Sequence, residues 1–235
     1  GVLDDGPAGL TAVAMAHLQA ADLVIGGTRL LNLCAVHLAP QAERRDLTGC
    51  LGSVPAWIRA ALVARRRVVV LATGDPLFHG IAGYLRARLP DLPLEIIPNL
   101  STLQVACARL GLAWQDLRIV SVHGQDCGEW REGAGPEHGL YPILRAIQYP
   151  EAGHGKGVSS VDLGPRPGSD PVMAILTSPA NSPDRIARML IQEGLGDRFR
   201  MAVAERLCRL DEQVIADCAL DQAATMTFAE PNLVI

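Results

Sequence analysis

The sequence predicts an α/β protein with largely parallel sheets, and three observations carry that prediction. Apolar runs alternate with helix-period patterns along the whole chain. The clearest run, Val68-Val69-Val70-Leu71-Ala72, is continuously apolar, which suits a strand buried on both faces of a parallel sheet. The 235 residues, 49% hydrophobic and 20% charged, can bury a domain-sized core without disulfide or metal. At about 150 residues per domain, that length fits one large domain or two small ones.

Each element follows in order. Gly1-Val2-Leu3 reads as the tail of a strand, and a helix starts near Thr11. Residues 22–25 form a strand ending at Gly26-Gly27. Residues 53–65 read as a helix, with Ser53 at its cap and Pro55 in its first turn. The strand 67–72 is followed by a helix over 78–89 and a strand over 94–97. Residues 101–110 are helical and stop at Gly111, a residue suited to the left-handed position after a helix. A strand over 117–122 comes next. Residues 124–168 hold 10 of the 23 glycines and five prolines, around one short helix at 140–148. Composition leaves two readings of that stretch open, a surface insertion or a flap over a site. Order resumes with a strand at 172–177. Ser182-Pro183-Asp184 then opens a helix running to about Glu193. Residues 199–204 and 232–235 complete the strands. A chain opening on a strand tail and closing on a strand reads as part of something longer.

Composition also excludes functions. Twenty-one basic against 25 acidic residues give a net charge of −4, and aromatics are 4%, so neither the field nor the stacking surface for nucleic acid is present. No apolar run approaches the ~20 residues of a membrane span, and no signal peptide precedes the chain. The six cysteines form no CxxC pair and the six histidines no HxH or HExxH, so no metal is expected and a reducing cytoplasm is the plain setting.

In a parallel α/β sheet, ligands bind beyond the C-terminal ends of the strands, so the turns there matter most. Asp4-Asp5-Gly6-Pro7-Ala8-Gly9 carries glycines, but it is not GxGxxG, and its two acids would repel a pyrophosphate. Gly74-Asp75-Pro76-Leu77-Phe78-His79-Gly80 follows the buried strand. Gly74 permits close approach of a ligand, Pro76 stiffens the turn, and Asp75 is either a helix cap or a ligand carboxylate. In Pro98-Asn99-Leu100-Ser101-Thr102 the hydroxyls either satisfy helix N–H groups or face a ligand.

Together these turns resemble the tetrapyrrole methylases. Further matching pieces are Gly1-Val2-Leu3-Asp4-Asp5-Gly6, the stretch 20–27, Val120-Ser121-Val122-His123-Gly124, the stretch 176–183, Ala204-Glu205-Arg206-Leu207 and Glu230-Pro231-Asn232-Leu233-Val234. The resemblance covers nearly all of the chain outside 128–170. Within the family it is nearest to the amino-terminal domain of C(5,15)-methylating, decarboxylating enzymes of the cobalamin pathway. One departure is Leu3, where a second glycine is usual.

The resemblance implies two α/β lobes, residues 1–115 and 116–235, the second with a Gly/Pro-rich insertion at about 124–170. The fold is that of the class III methyltransferases dependent on S-adenosyl-L-methionine (SAM), with a cofactor cleft between lobes. It implies SAM bound by Asp4, Gly74, Asp75, Pro76, Phe78, Ser101 and Thr102, with Thr177 and Ala204 from the second lobe, and S-adenosyl-L-homocysteine as product. The substrate would be a precorrin-6 type tetrapyrrole methylated at carbon 5. Alternatives are another corrin precursor, or a SAM-binding platform for the decarboxylating half of a fused enzyme. The implied partners are that C-terminal decarboxylating methyltransferase domain and a second copy in a homodimer. Carbon methylation leaves a proton to remove. His123, whose ring titrates in the useful range, and Glu205 are the candidate bases; the alternatives are a hydrogen-bonded strand-end histidine and a surface ion pair. Arg29, Arg131 and Arg206 are candidate clamps for substrate carboxylates.

Overall fold

The computed structural model describes residues 1–123, 126–149 and 171–235. The residues at 124–125 and 150–170, nearly half of the Gly/Pro-rich stretch, lie outside the described part. The chain divides into two units, Gly1–Thr102 and Leu103–Ile235.

The first unit is organised around β1 (Leu23–Gly26), whose four residues are all buried. It is preceded by α1 (Ala12–Ala20), where the Thr11 hydroxyl accepts the Ala14 N–H at 3.2 Å, and followed by α2 (Thr28–Cys34). Next come β2 (Glu43–Asp46), α3 (Val54–Val63), β3 (Val68–Val70) and α4 (Ile81–Arg88). Both β2 and β3 pair with β1 in parallel, giving the order β2-β1-β3. Alternation along β1 sends Val24 into a cluster with Leu18, Leu30, Leu31 and Cys34, and Leu23 and Ile25 into one with Val54, Ile58, Ala61 and Leu85. Helices therefore cover both faces of β1.

The strand β2 was not legible in the sequence. It reads Glu-Arg-Arg-Asp because it is an edge strand, where charge blunts an open ladder. Its Glu43 accepts from Arg66 at 2.6 Å, and Arg45 stacks over the Trp57 ring at 5.3 Å. The expected helix over 78–89 begins only at Ile81, because the turn from Gly74 to Gly80 takes the intervening residues. Residues 94–97, expected as a strand, run without a ladder, and β3 is half-buried rather than enclosed.

Helix α5 (Thr102–Leu110) begins at the last residue of the first unit and ends at Gly111, whose φ of +65° is the expected left-handed stop. The second unit continues with β4 (Arg118–Ser121), α6 (Tyr141–Gln148), β5 (Met173–Leu176), α7 (Pro183–Gln192), β6 (Arg200–Glu205), β7 (Gln213–Ala219), α8 (Leu220–Ala223) and β8 (Asn232–Val234). Its sheet has the order β4-β5-β8-β6-β7, parallel between β4 and β5 and antiparallel elsewhere. The second sheet is thus mixed, where a mostly parallel one was expected. The strand β7 was missed because Gln-Val-Ile-Ala-Asp-Cys-Ala lacks a continuous apolar run, as an antiparallel strand with one wet face does. The core beneath includes Val120, Trp130, Ile143, Ile186, Met189 and Val203. No helix among the described residues is long and apolar enough to cross a membrane.

Candidate active site

In the first unit, the site is built where three segments meet. Val2 donates to the Ala72 carbonyl at 2.8 Å and accepts from Gly74 N–H at 2.9 Å, so Gly1–Leu3 lies beside the outgoing end of β3. Gly74 has a φ of +60°, a region that favours glycine. A Cβ there would stand 3.4 Å from the Leu100 carbonyl oxygen, Ser101 Cα and Thr102 N, so the turn lies directly against the start of α5. Two predicted segments, 74–80 and 98–102, are brought together at this glycine.

The turn itself is self-braced. Asp75 Oδ1 accepts the Leu77 N–H at 2.7 Å, and the Asp75 carbonyl accepts the Phe78 N–H at 3.2 Å. Asp75 therefore braces the turn rather than capping a helix, since Gly80 precedes the first residue of α4. Pro76 is buried, and its carbonyl accepts the Ala82 N–H at 3.1 Å, tying the turn to α4. Phe78 is half-buried and meets the His79 ring edge-on at 5.2 Å.

Asp4 is an ion-pair member. Arg29 Nη1 donates to Asp4 Oδ2 at 2.6 Å, and Arg29 Nη2 donates to Thr73 Oγ1 at 3.1 Å. Arg29, considered as a carboxylate clamp, is thus already neutralised by Asp4 beside the turn. Ser101 is buried at the start of α5, and Thr102 opens that helix, where the first backbone N–H groups lack intrahelical partners. Asn99 was passed over in the sequence although its motif was singled out. Its Nδ2 lies within hydrogen-bond range of the Gly1 carbonyl at 3.1 Å and the Gly9 carbonyl at 3.3 Å, and its Oδ1 accepts the Leu100 N–H at 2.8 Å. One side chain thus joins the first loop to the helix start.

In the second unit, His123 is exposed just beyond β4. The peptide before it is fixed: Val122 N–H donates to Leu176, and the Val122 carbonyl accepts Asn181 Nδ2 at 2.8 Å and Ser178 Oγ at 3.3 Å. Asn181 is 1% exposed, and its Oδ1 finds no partner among the described residues. Thr177 is buried, with Oγ1 2.6 Å from both the carbonyl oxygen and Oδ1 of Asn232, so its single proton goes to one of them. Glu205 pairs across the ladder with Asn232 and is buried, its Oε1 accepting the Ala229 N–H at 2.6 Å. Among the described residues it has no ion-pair partner, so the surface ion pair is not what holds it. Ala204 is 1% exposed in β6, between β7 and β8. Arg206 follows with a φ of +49°, and its Nη1 donates to Asp211 at 2.9 Å. Arg131 is exposed. Asn181 and Asn232, like Asn99, each sit beside proline or serine in a quoted motif. That position, where an amide can both donate and accept, is the signal that could have found them.

The first unit accordingly presents a glycine-lined turn and the amino end of a helix, an arrangement able to receive a ligand bearing carboxylate and hydroxyl groups. The chain is similar to the cobalt-precorrin-7 C(5)-methyltransferase of Salmonella typhimurium, 30% identical over 217 residues that cover 91% of this chain and 87% of the relative. It is also similar to the precorrin-6Y C(5,15)-methyltransferase [decarboxylating] of a Sinorhizobium species, 30% identical over 95% of this chain but only 49% of that protein. Among solved structures, the uroporphyrin-III C-methyltransferase of Thermus thermophilus, complexed with S-adenosyl homocysteine, superposes with a TM-score of 0.62 at 21% identity, over 99% of this chain and 94% of that one. A family model of the tetrapyrrole (corrin/porphyrin) methylases matches residues 1–224, and the chain belongs to that family.

Proposed function

We propose that the protein is a SAM-dependent C-methyltransferase of cobalamin synthesis that methylates carbon 5 of a precorrin-6 type tetrapyrrole. Two relatives with different names support the choice of carbon. The match spans 87% of the relative named for carbon 5 alone and 49% of the one named for carbons 5 and 15 with decarboxylation. The shared segment is then the one that carries what the names share. The same reading includes a homodimer in the cytoplasm, with the decarboxylating chemistry performed by a separate domain.

The observation that carries the reading is the packing of Gly74 on Leu100, Ser101 and Thr102. At a φ of +60° and packed on the start of α5, position 74 suits glycine, and the first N–H groups of α5 beside it are the ones that would meet the amino acid end and ribose of SAM. Asp75, Pro76 and Phe78 hold the turn in place, Asp4 is set by Arg29, and Ser101 and Thr102 supply hydroxyls. Thr177 and Ala204 are the proposed contacts from the second unit. When bound, SAM supplies an electrophilic methyl group to a nucleophilic macrocycle carbon.

The residues contribute chiefly alignment, which alone can be worth about 7–11 kcal/mol of a barrier. Proton removal falls to His123 rather than Glu205. His123 is exposed on a peptide fixed by Asn181 and Ser178, whereas the Glu205 carboxylate is buried and bound to the Ala229 N–H. Titrating the protein with SAM in a calorimeter tests the cofactor assignment. Saturable one-to-one binding that is lost when Gly74 is replaced by Val is expected; the absence of saturable binding by the unaltered protein would overturn it.

A further inference from the structure

Where β4 ends, side chains replace a rung of the backbone ladder. Strand β4 pairs with β5 in parallel, and the last regular rung is the Val122 N–H donating to the Leu176 carbonyl at 2.9 Å. Continued by one step, a parallel ladder would have the Ser178 N–H donate to the Val122 carbonyl. That rung is not made. The Ser178 N–H turns to the Asn181 carbonyl at 3.5 Å, and the Asn181 N–H returns to the Ser178 carbonyl at 2.9 Å. Two side chains of this turn take the vacated place: Asn181 Nδ2 donates to the Val122 carbonyl at 2.8 Å, and Ser178 Oγ donates to it at 3.3 Å.

Satisfying a buried carbonyl at a strand end takes one donor, and the serine hydroxyl alone supplies it. The asparagine is the costly addition. It is 1% exposed, and its Oδ1 has no partner among the described residues. A buried amide oxygen left unpaired lowers stability in a way that a hydrocarbon of the same shape would not. Stability therefore does not account for an amide at this position, but geometry does. The Val122 carbonyl belongs to the same planar peptide unit as the His123 nitrogen. Two donors that converge on that carbonyl from one turn fix the plane from which the His123 side chain departs.

We infer that Asn181, with Ser178, is a positioning residue for His123: the pair orients the 122–123 peptide so that the imidazole holds one direction beyond the end of β4. The inference rests on the assignment of His123 as the proton acceptor, and it adds the side chains that aim it. Both residues act through the peptide and not on the substrate.

The test is a double-mutant cycle read in single-turnover methyl transfer from labelled SAM to a precorrin-6 type tetrapyrrole. Asn181→Leu is expected to slow transfer about tenfold, less than the roughly 10²-fold that a misplacement of about 1 Å costs, with SAM affinity held within about twofold. In a His123→Asn background the same substitution should change the rate by less than about twofold, because no imidazole is left to aim. Ser178→Ala removes the longer of the two bonds and carries the same cycle with a loss of about threefold, so the inference stays testable if Asn181→Leu does not fold. Ser178→Thr, which keeps the hydroxyl, should restore the rate. An equal loss in both backgrounds, with His123→Asn itself slow, would overturn the positioning role and leave His123 as the base. A His123→Asn protein as fast as the unaltered one would overturn the base assignment, and this inference with it. Weakened SAM binding that accounts for the whole loss in Asn181→Leu would also overturn the positioning role.

Discussion

Replacing Gly80 by Ala tests the turn at the centre of the proposed site. Gly80 has an ordinary φ of −100°, so alanine meets no backbone strain there. The obstacle is steric: an ideal Cβ would lie 2.4 Å from the Pro76 carbonyl oxygen and 2.7 Å from its carbon. Carbon–oxygen contacts settle at about 3.3–3.6 Å, so the turn and α4 must separate by roughly 1 Å. That carbonyl is also the acceptor for Ala82 N–H, so the shift strains the bond that ties the turn to α4. Overpacking of this kind costs about 1–3 kcal/mol, and about 2–4 °C of melting temperature per kcal/mol follows for a chain of this size. A 1 Å displacement at the cofactor turn should lower methyl transfer by roughly 10²-fold. Gly83, on the exposed side of α4, is the control. A Cβ there meets nothing within 4 Å, so Gly83→Ala should stabilise by about 0.5–1 kcal/mol with activity intact. Melting curves and SAM titrations of both variants give the answer. A Gly80→Ala protein that melts and binds SAM like the unaltered one would refute the reasoning.

Four further outcomes are expected. Asp75→Ala removes the acceptor for Leu77 N–H, so it should cost about 1 kcal/mol in a urea melt and weaken SAM binding in calorimetry without unfolding the chain. Asn99→Leu leaves the Gly1 and Gly9 carbonyls unpaired, and a loss of about 1–3 kcal/mol should appear in the same melt. Glu205→Gln keeps an acceptor for Ala229 N–H, so stability should hold and activity should stay within about threefold, while His123→Asn should lose about 10²-fold and flatten the pH–rate profile. Arg59 donates to Asp91 and holds that carboxyl at about 2, so its stabilisation is complete above the ordinary carboxylate range and fades as pH falls through about 2. In Arg59→Gln, carboxyl NMR should show Asp91 titrating near ~4.

The central strand of the first unit and the helices α1 and α3 were legible, since burial on both faces writes an apolar run, but α2 was not read. The edge strands β2 and β7 were not legible, since β2 is written in charge and Asp217 interrupts the short apolar runs of β7. Residues 94–97 carry the apolar pattern of a strand, yet a ladder needs a neighbour, and a pattern does not say whether one stands beside it. Of the site, the turn at Gly74 and the helix start at Ser101 and Thr102 could be read from residue types at strand ends. Their contact could not, nor could the pairing of Arg29 with Asp4, because both depend on which segments the sheet brings together. Asn99, Asn181 and Asn232 escaped notice for a related reason. A turn asparagine reveals its partners only once the chain is folded.

Methyl transfer from labelled SAM to a precorrin-6 type tetrapyrrole, with the product read by mass spectrometry and NMR, tests carbon-5 methylation most directly. One new methyl group at carbon 5, with every carboxyl group of the substrate retained, is the predicted product. Methylation at another carbon, loss of carbon dioxide, or no transfer by a sample that binds SAM would contradict it.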